Sequence, residues 1–547
     1  MSKQPIRIHT AAAMYAREVS QGSLSRREFL TRSTSLGLTT TAAYGLIGLE
    51  SPVRAAAHAQ QGGTLRIQME VRALKDPRTY DWPQMSNFSR GWLEYLVEYE
   101  RDGTIQPMLL EAWEVNDDAT QYVLNVRKGV TWNDGTPFTA EDVAHNITRW
   151  CEKKVEGNSM ASRMTSLIDE DTGEAREGAI EVTDDHTVTL NLGNPDITLI
   201  AGFSDYPAAI VPQGFSGDPL ANPVGTGPYL PGDYEVGVRS VLNKNTEHDW
   251  WGEGAYLDTI EYVDYGTEQA AIVAAIDADE VDMVYETVGE FIKVVDDIGW
   301  AKSEAITANT VVTRPNQLAE IDGKKTYGDS RVRRALAMAV NNAVCLELGF
   351  DGNGSVAENH HVSPLHPEYA KLTPPVVDPA AALALMEEAG MADFEHELIS
   401  IDDTWRKNTS DSIAAQLRDA GIKVKRTVLP GSTFWNDWVK YPLSTTDWAQ
   451  RPLGVQVLAL AYRSGEAWNE TGFANPEFDA ALTEALAIAD VDKRREVMVR
   501  LETIMQEEGV IIQPYWRSIY RHHKAEVIGA EMHPTFEIHV YKLGLAA

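Results

Sequence analysis

Cysteine is almost absent: Cys151 and Cys345 are the only two in 547 residues. That excludes a disulfide framework, leaving at most one bridge, and two buried free thiols are the expectation. Basic residues are also scarce, 48 Lys+Arg against 81 Asp+Glu, for a formal net charge of −33. Phosphate binding needs concentrated Lys/Arg and a field of the right sign, so nucleic acid is excluded as a partner. Docking on anionic lipid headgroups is excluded for the same reason. Beyond residue 60 the longest uncharged stretch, Pro219 to Gly232, is interrupted by prolines and glycines, so no segment there reads as a membrane span. Catalytic signatures are missing too: no G-x-S-x-G elbow, no H-E-x-x-H, no G-x-x-x-x-G-K-[ST], and no G-x-G-x-x-G after a strand. With acids throughout the chain, no pair of carboxylates stands out as an acid/base couple. What is present is 43% hydrophobic residues with 14 Trp, 20 Tyr and 12 Phe. At ~100–200 residues per domain this is enough chain for two or three well-packed domains.

Residues 1–59 differ in composition from the rest. Seven basic residues stand there against Glu18, Glu28 and Glu50, and an uncharged run extends from Ser33 to Leu49 before Ala57-His58-Ala59. A basic start, a short apolar run and an Ala-x-Ala site predict a cleaved export signal. Ser25-Arg26-Arg27-Glu28-Phe29-Leu30 resembles the twin-arginine type, which exports folded proteins. Removing 7 basic and 3 acidic residues leaves 41 and 78, a net of −37. No cysteine lies near the site for a lipid anchor, and the expected destination is the periplasm.

Downstream, Gly62–Met69, Tyr122–Val126 and Thr187–Leu192 alternate with the period of strands, and Asn133-Asp134-Gly135 is a turn. Thr139, with Asp142 three residues on, predicts a capped helix through Trp150. From residue 300 helices and strands alternate. A long helix is expected from Asp329 to Leu348, and another from Asp378-Pro379 to Gly390. Strand Leu398–Ile401, helix Asn408–Ala420 and strand Ile422–Val428 form a β-α-β unit. Pro476–Ala489 and Lys493–Glu508 read as helices, and the last forty residues return to short strand-like pieces. The fold class is α/β, with a crossover unit in a mixed sheet.

Histidine offers weak metal candidates, His360-His361 with His366 and His522-His523, although adjacent residues of a strand face opposite ways. The aromatics are more informative. Trp405, Trp435, Trp438, Tyr441, Trp448, Tyr462 and Trp468 fall within 64 residues, many at strand ends or in loops, where sheets of this kind line ligand crevices. The cluster suggests a cleft that stacks on a sizeable organic ligand.

Four stretches resemble the signatures of the family 5 solute-binding proteins, the extracytoplasmic receptors of ABC importers. VRKGVTWNDGTPFTAEDV from Val126 to Val143 is similar to the family's RKGVKFHDGTPFTAEDV. NPVGTGPY from Asn222 to Tyr229, RVRRALAMAVN from Arg331 to Asn341 and GFANPEFD from Gly472 to Asp479 match further motifs, in the family's order. The resemblance implies two α/β lobes joined by two chain crossings, with an extra subdomain in the first. On this reading residues 60–110, 223–310 and 511–547 build lobe I, 111–222 its subdomain, and 311–510 lobe II.

The resemblance also implies a periplasmic receptor, not an enzyme, that traps a small solute by hinge closure and engages permease subunits transiently. No cofactor, no membrane insertion and a monomeric state are expected. Peptide-binding members carry a W-x-G-D-like stretch whose aspartate takes the peptide's amino terminus. Here Trp448 is kept but Gln450 and Arg451 stand in place of Gly-Asp, which disfavours an amine anchor and favours a carboxylate. The ligand-binding candidates are Trp82, Trp405, Trp435, Trp448, Gln450, Arg451, Tyr462, Trp468 and Asn469. The competing readings are a nickel-type metal or haem carrier of the same fold and, more remotely, a secreted hydrolase.

Overall fold

The computed structural model describes residues 10–22, 24–49, 59–116, 119–366, 368–488 and 490–547. Ten strands lie hydrogen-bonded in a row. Their order is Val424–Leu429, His396–Ile401, Leu443–Trp448, Ala301–Pro315, Tyr515–His523, Met283–Val284, Thr64–Gln68, Thr259–Val263, Arg239–Lys244 and Tyr229–Glu235, with Gly354–Val356 paired to the side of Tyr515–His523. The strands beyond Tyr515–His523 belong to one lobe, and those beyond Ala301–Pro315 to the other.

The two middle strands are the chain crossings. Ala301–Pro315 pairs antiparallel with Tyr515–His523 over its first part, from Ala301↔His523 to Thr310↔Trp516. It then pairs with Leu443–Trp448, from Thr310↔Trp448 to Pro315↔Leu443. The register slips between Ile306 and Asn309, a bulge that bends the strand where one lobe gives way to the other. Side-chain and backbone hydrogen bonds brace it. Thr307 Oγ1 donates to the Arg517 carbonyl at 2.7 Å, Ala308 N to Gln450 Oε1 at 2.9 Å and Asn309 Nδ2 to the Pro534 carbonyl at 2.9 Å.

In lobe I a separate antiparallel sheet, ordered Leu110–Val115, Gln121–Val126, Thr187–Asn191 and Ile180–Asp184, realises the period-two stretches. The helix Ala140–Trp150 packs on it and begins as expected, with Thr139 N donating to Asp142 Oδ2 at 2.9 Å. The NPVGTGPY motif is explained by close approach: a Cβ at Gly225 would lie 1.9 Å from the Trp92 carbonyl oxygen. In lobe II, His396–Ile401 and Val424–Leu429 pair in parallel across the helix Thr404–Asp419, the crossover unit read from the sequence. The single helix expected from Asp329 to Leu348 is two, Ser330–Met338 and Asn342–Phe350. Asn341 breaks it by capping the second, its Oδ1 accepting from Ala343 N at 3.0 Å. The expected strand at Ile538–Val540 instead leads into a 3-10 turn at Val540–Lys542.

Each lobe has its own core: Leu65, Ile67, Trp92 and Trp150 centre the first, and Leu336, Leu398, Ile413 and Leu417 part of the second. Each fully buried aliphatic side chain here contributes roughly 1.5–3 kcal/mol. A further cluster joins the lobes, with Tyr80, Met85 and Tyr206 packed among Trp438, Trp448 and Trp468. Both cysteines are buried and unbridged, and burial pushes the Cys151 thiol up to about 12 and Cys345 up to about 11.

Residues of the expected signal form three helices, Thr10–Gln21, Arg26–Ser35 and Thr40–Leu46, that pack on the body. Ala57 and His58 of the expected cleavage site lie outside the described residues, and Ala59–Gln60 pairs with Gly544–Ala546. Among the described residues no helix is long and apolar enough to cross a membrane.

Candidate functional site

Between the lobes lies a cleft, adjoined by a second compartment that shares the lining residues Gln84, Tyr285, Glu286 and Arg406. Local sequence places its walls. Pro83 opens a helix and forces the preceding Trp82 into an extended conformation (φ −137°, ψ 141°), outside the helix. Trp435 caps the short helix Gly431–Phe434, and Trp448 ends the strand Leu443–Trp448. Arg406 sits in the first turn of Thr404–Asp419, and Arg517 in the second crossing strand.

The rings meet across the lobes. Trp82 lies 4.0 Å from Trp435 and 5.8 Å from Trp438 between centroids, and Tyr206 stacks on Trp468 at 5.6 Å. Guanidinium groups cover their faces: Arg72 over Trp82 and Trp435 at 5.1 and 5.3 Å, Arg451 over Tyr206 and Trp468 at 5.3 and 5.6 Å, and Arg517 over Trp405 at 4.1 Å. Each such contact stabilises by ~0.5–2 kcal/mol. The cation positions over these tryptophans are therefore filled by the protein itself.

Four arginines line the main cleft, Arg72, Arg406, Arg451 and Arg517, against Asp81, Glu286 and Asp447. Arg451 is 3% exposed, and its Nε donates to Asp205 Oδ2 at 2.8 Å. Arg163 donates its Nε to the same oxygen at 3.0 Å. Burial works against the Asp205 charge, but the two arginines outweigh it and hold the carboxyl below its usual range. This ion cluster joins residue 451 of lobe II to residues 163 and 205 of lobe I. Arg406 Nε lies 3.1 Å from Asp403 and 3.2 Å from Asp447, without the alignment of a hydrogen bond. Burial pushes Asp403 up to about 6 against the pull of Arg406, and burial likewise raises Glu286 despite Arg517.

Among the described residues, several buried polar atoms of the cleft lining have no hydrogen-bond partner. Five are donors: Arg72 Nε, Arg406 Nε, Arg517 Nε, Trp435 Nε1 and Trp468 Nε1. Two are acceptors, Gln84 Oε1 and Asp447 Oδ1. An unmet buried donor costs about 1–3 kcal/mol, so the lining as it stands has more donors than acceptors left to satisfy, Arg406 Nε and Asp447 Oδ1 facing one another at 3.2 Å.

Of the residues chosen from sequence, the structure brings Trp82, Trp435, Trp448, Arg451 and Trp468 to the main cleft and Trp405 to the second compartment. It places the other three elsewhere. Gln450 is tied to the crossing strand, accepting from Ala308 N and donating its own N–H to Asn309 Oδ1 at 2.9 Å. The Tyr462 hydroxyl shares a 2.6 Å hydrogen bond with buried His361 Nδ1. Asn469 holds a turn, its amide donating to the Arg463 and Phe473 carbonyls. Sequence reasoning missed Arg72, Asp205, Tyr206, Glu286, Arg406 and Arg517. The one available signal was charge in an apolar strand, as with Arg517 between Trp516 and Ile519.

The flagged histidines each have their own protein partners: His360 faces Glu358 at 3.2 Å, His366 Nδ1 accepts from Ser363 N at 3.0 Å, and His522 meets Thr287 and Asp296. A cluster not flagged, His533, Glu537 and His539, brings its ligand atoms within 4.8 Å of one another, as does Glu98, Glu100 and His539. Cations already serve it, with Lys542 Nζ 2.7 Å from Glu98 and Arg90 3.0 Å from Glu537, so it is a charge network.

Residues 104–469 match the model of the bacterial extracellular solute-binding proteins, family 5 Middle. The heme-binding protein A of Haemophilus influenzae is 24% identical over 76% of this chain and 79% of its own length. A dipeptide-binding protein of Pseudomonas aeruginosa is 22% identical over 83% and 88%. Among solved structures, the periplasmic binding protein DppA of Helicobacter pylori with the peptide STSA superposes with a TM-score of 0.76 at 19% identity, over 89% of this chain and 99% of that one. AgaA of A. tumefaciens R10 with agropinic acid gives 0.77 at 21% identity, over 88% and 99%.

Proposed function

The chain belongs to the family 5 bacterial extracellular solute-binding proteins, and from that premise we propose that it captures a compact, acceptor-rich organic solute between its lobes and delivers it to an ABC permease. The observation that carries the ligand class is the cleft's excess of unmet donors, five against two. Carboxylate and polyol oxygens satisfy such donors, and the paired Trp82 and Trp435 rings in the cleft wall suit an apolar or planar body laid against them. A free ammonium is poorly served, because Asp205 is already neutralised by Arg163 and Arg451 and the tryptophan faces carry arginines. Of the relatives' cargoes, an acid such as the agropinic acid in the AgaA structure fits this lining better than an amine-anchored peptide. Arg451 shapes the wall with its Nε spent on Asp205, and Arg72, Arg406 and Arg517, which stand beside Glu70, Asp403 with Asp447, and Glu286, are the groups an acid would draw from those partners.

Delivery on this reading is non-enzymatic, by a monomer working in the periplasm without a lipid anchor. The Arg26-Arg27 pair with Phe29 and Leu30 supports twin-arginine export. The test is mass spectrometry of solute released from the purified protein, followed by a thermal-shift panel of carboxylates, their amides and matched amines. A ligand at about 100 times its dissociation constant adds ~2.7 kcal/mol of stability. Carboxylates are expected to shift the melting temperature most. Stabilisation by amines alone, or turnover of the solute by the protein, overturns the reading.

A further inference from the structure

The helix Arg26–Ser35 is buried from Glu28 through Ser35, eight consecutive residues that include Glu28 and Arg32. A helix resting by one face on a body shows a periodic pattern of exposure. This one is enclosed, with Thr10–Gln21 and Thr40–Leu46 against it and the folded body beneath.

It touches both lobes. On lobe I, Thr34 Oγ1 accepts from Ile105 N at 2.8 Å, the Ser35 carbonyl accepts the Trp113 indole N–H at 2.8 Å, and Thr31 hydrogen-bonds the Gly103 carbonyl. The fit extends to the backbone: a Cβ at Gly103 would meet Arg27 Cγ at 2.3 Å. On lobe II, Arg32 Nη2 lies 3.6 Å from Glu368, and Leu24, Ser25 and Glu28 border a small cavity with Pro364, Leu365 and Tyr369. The segment is the cationic part of an otherwise strongly acidic chain.

We propose that residues 24–49 form an intramolecular strap, docked across both lobes, that holds the uncleaved protein closed until the segment leaves. A hinge motion that parts the lobes must first detach one end of the strap. The contacts suit release: among the described residues, neither the Arg32 guanidinium nor Glu28 Oε1 has a hydrogen-bond partner, and buried charges so placed return little of their desolvation cost. The strap stands on these contacts alone; only the timing of its release draws on the export reading, so the cargo can be misassigned without affecting it.

The experiment uses the full chain and a leader-only variant, Arg32→Glu, which sets a third acid beside Glu28 and Glu368 and leaves the body's sequence intact. Hydrogen exchange is read at Ile105 and over residues 364–370, and acrylamide quenching reads the cleft tryptophans. A third sample carries a protease site within residues 50–58 and is cut after folding. The strap predicts at least tenfold faster exchange on both lobes in Arg32→Glu, with increased quenching. In the cut sample it predicts that the segment dissociates on dilution and quenching rises with it. Unchanged exchange on both lobes overturns the docking. Loss of protection on lobe I alone, with quenching unchanged, overturns the strap.

Discussion

Two buried charge clusters join parts of this molecule that are distant in sequence, and they are built to different standards. Around Asp205, Arg163 and Arg451 approach one carboxylate oxygen within 3.0 Å with aligned hydrogen bonds. Around Glu368, Arg32 stands 3.6 Å away and Arg494 3.9 Å, and Arg32 faces Glu28 at 3.8 Å. The arginines override burial at Asp205 and at Glu368 alike, holding both carboxyls below their usual range, whereas burial outweighs Arg32 at Glu28 and pushes it up to about 8. The first cluster ties one lobe to the other, and the second ties the N-terminal helix to the body.

The comparison can be attacked at its strong end first. Asp205→Asn leaves two guanidinium groups facing one another without their carboxylate, and a loss of about 3–5 kcal/mol is expected in urea unfolding. Arg32→Met combined with Glu28→Leu, which replaces the loosely placed pair as a unit by apolar chains of similar size, is expected to cost less than about 1 kcal/mol. Equal costs for the two would erase the distinction. The smallest effect is in pH, where Asp205 and Glu28 have opposite signs. Asp205 is depressed in the folded state, so its contribution is present above its unfolded value of 3.8 and is lost as pH falls through the folded one. Glu28 is raised from 4.5 to about 8, so its contribution is full below 4.5 and disappears as pH rises through about 8. The groups facing Glu28 are Arg32, Glu368, Arg27 and Arg494, with His366 and Arg495 at the same cavity. Burial pushes His366 down to about 4, so it does not titrate in that window. Exchange at Ile105, corrected for intrinsic rates, is therefore expected to be severalfold slower at pH 5 than at pH 8.5. The reverse order would assign Glu28 the wrong state.

Local chemistry was readable in the sequence, and direction was not. The Thr139–Asp142 cap, the Pro379 start and the crossover from His396 to Leu429 follow from spacing and residue type, because the forces that set them act within a few residues. The family signatures gave two lobes and two crossings. Side-chain direction across the cleft depends on partners hundreds of residues away. Trp448 and Tyr462 look alike as aromatics near element ends, yet one lines the cleft and the other bonds His361 in the core. Arg451 was chosen for a ligand, and its Nε is taken by Asp205, 246 positions distant. The helix expected across Asn341 failed for the opposite reason: a local cap outweighed a long apolar face.

The bulge at Thr307–Asn309 has a mechanical consequence. Gln450 bonds it twice, its side-chain Oε1 accepting from Ala308 N and its backbone N–H donating to Asn309 Oδ1. The very next residue is Arg451, which carries the cross-lobe ion pair. Fulcrum and load therefore occupy adjacent links of one chain, with no slack between them. Any tilt of the second lobe about the bulge would act on the ion pair through a single peptide link, a short lever arm between strand and cleft.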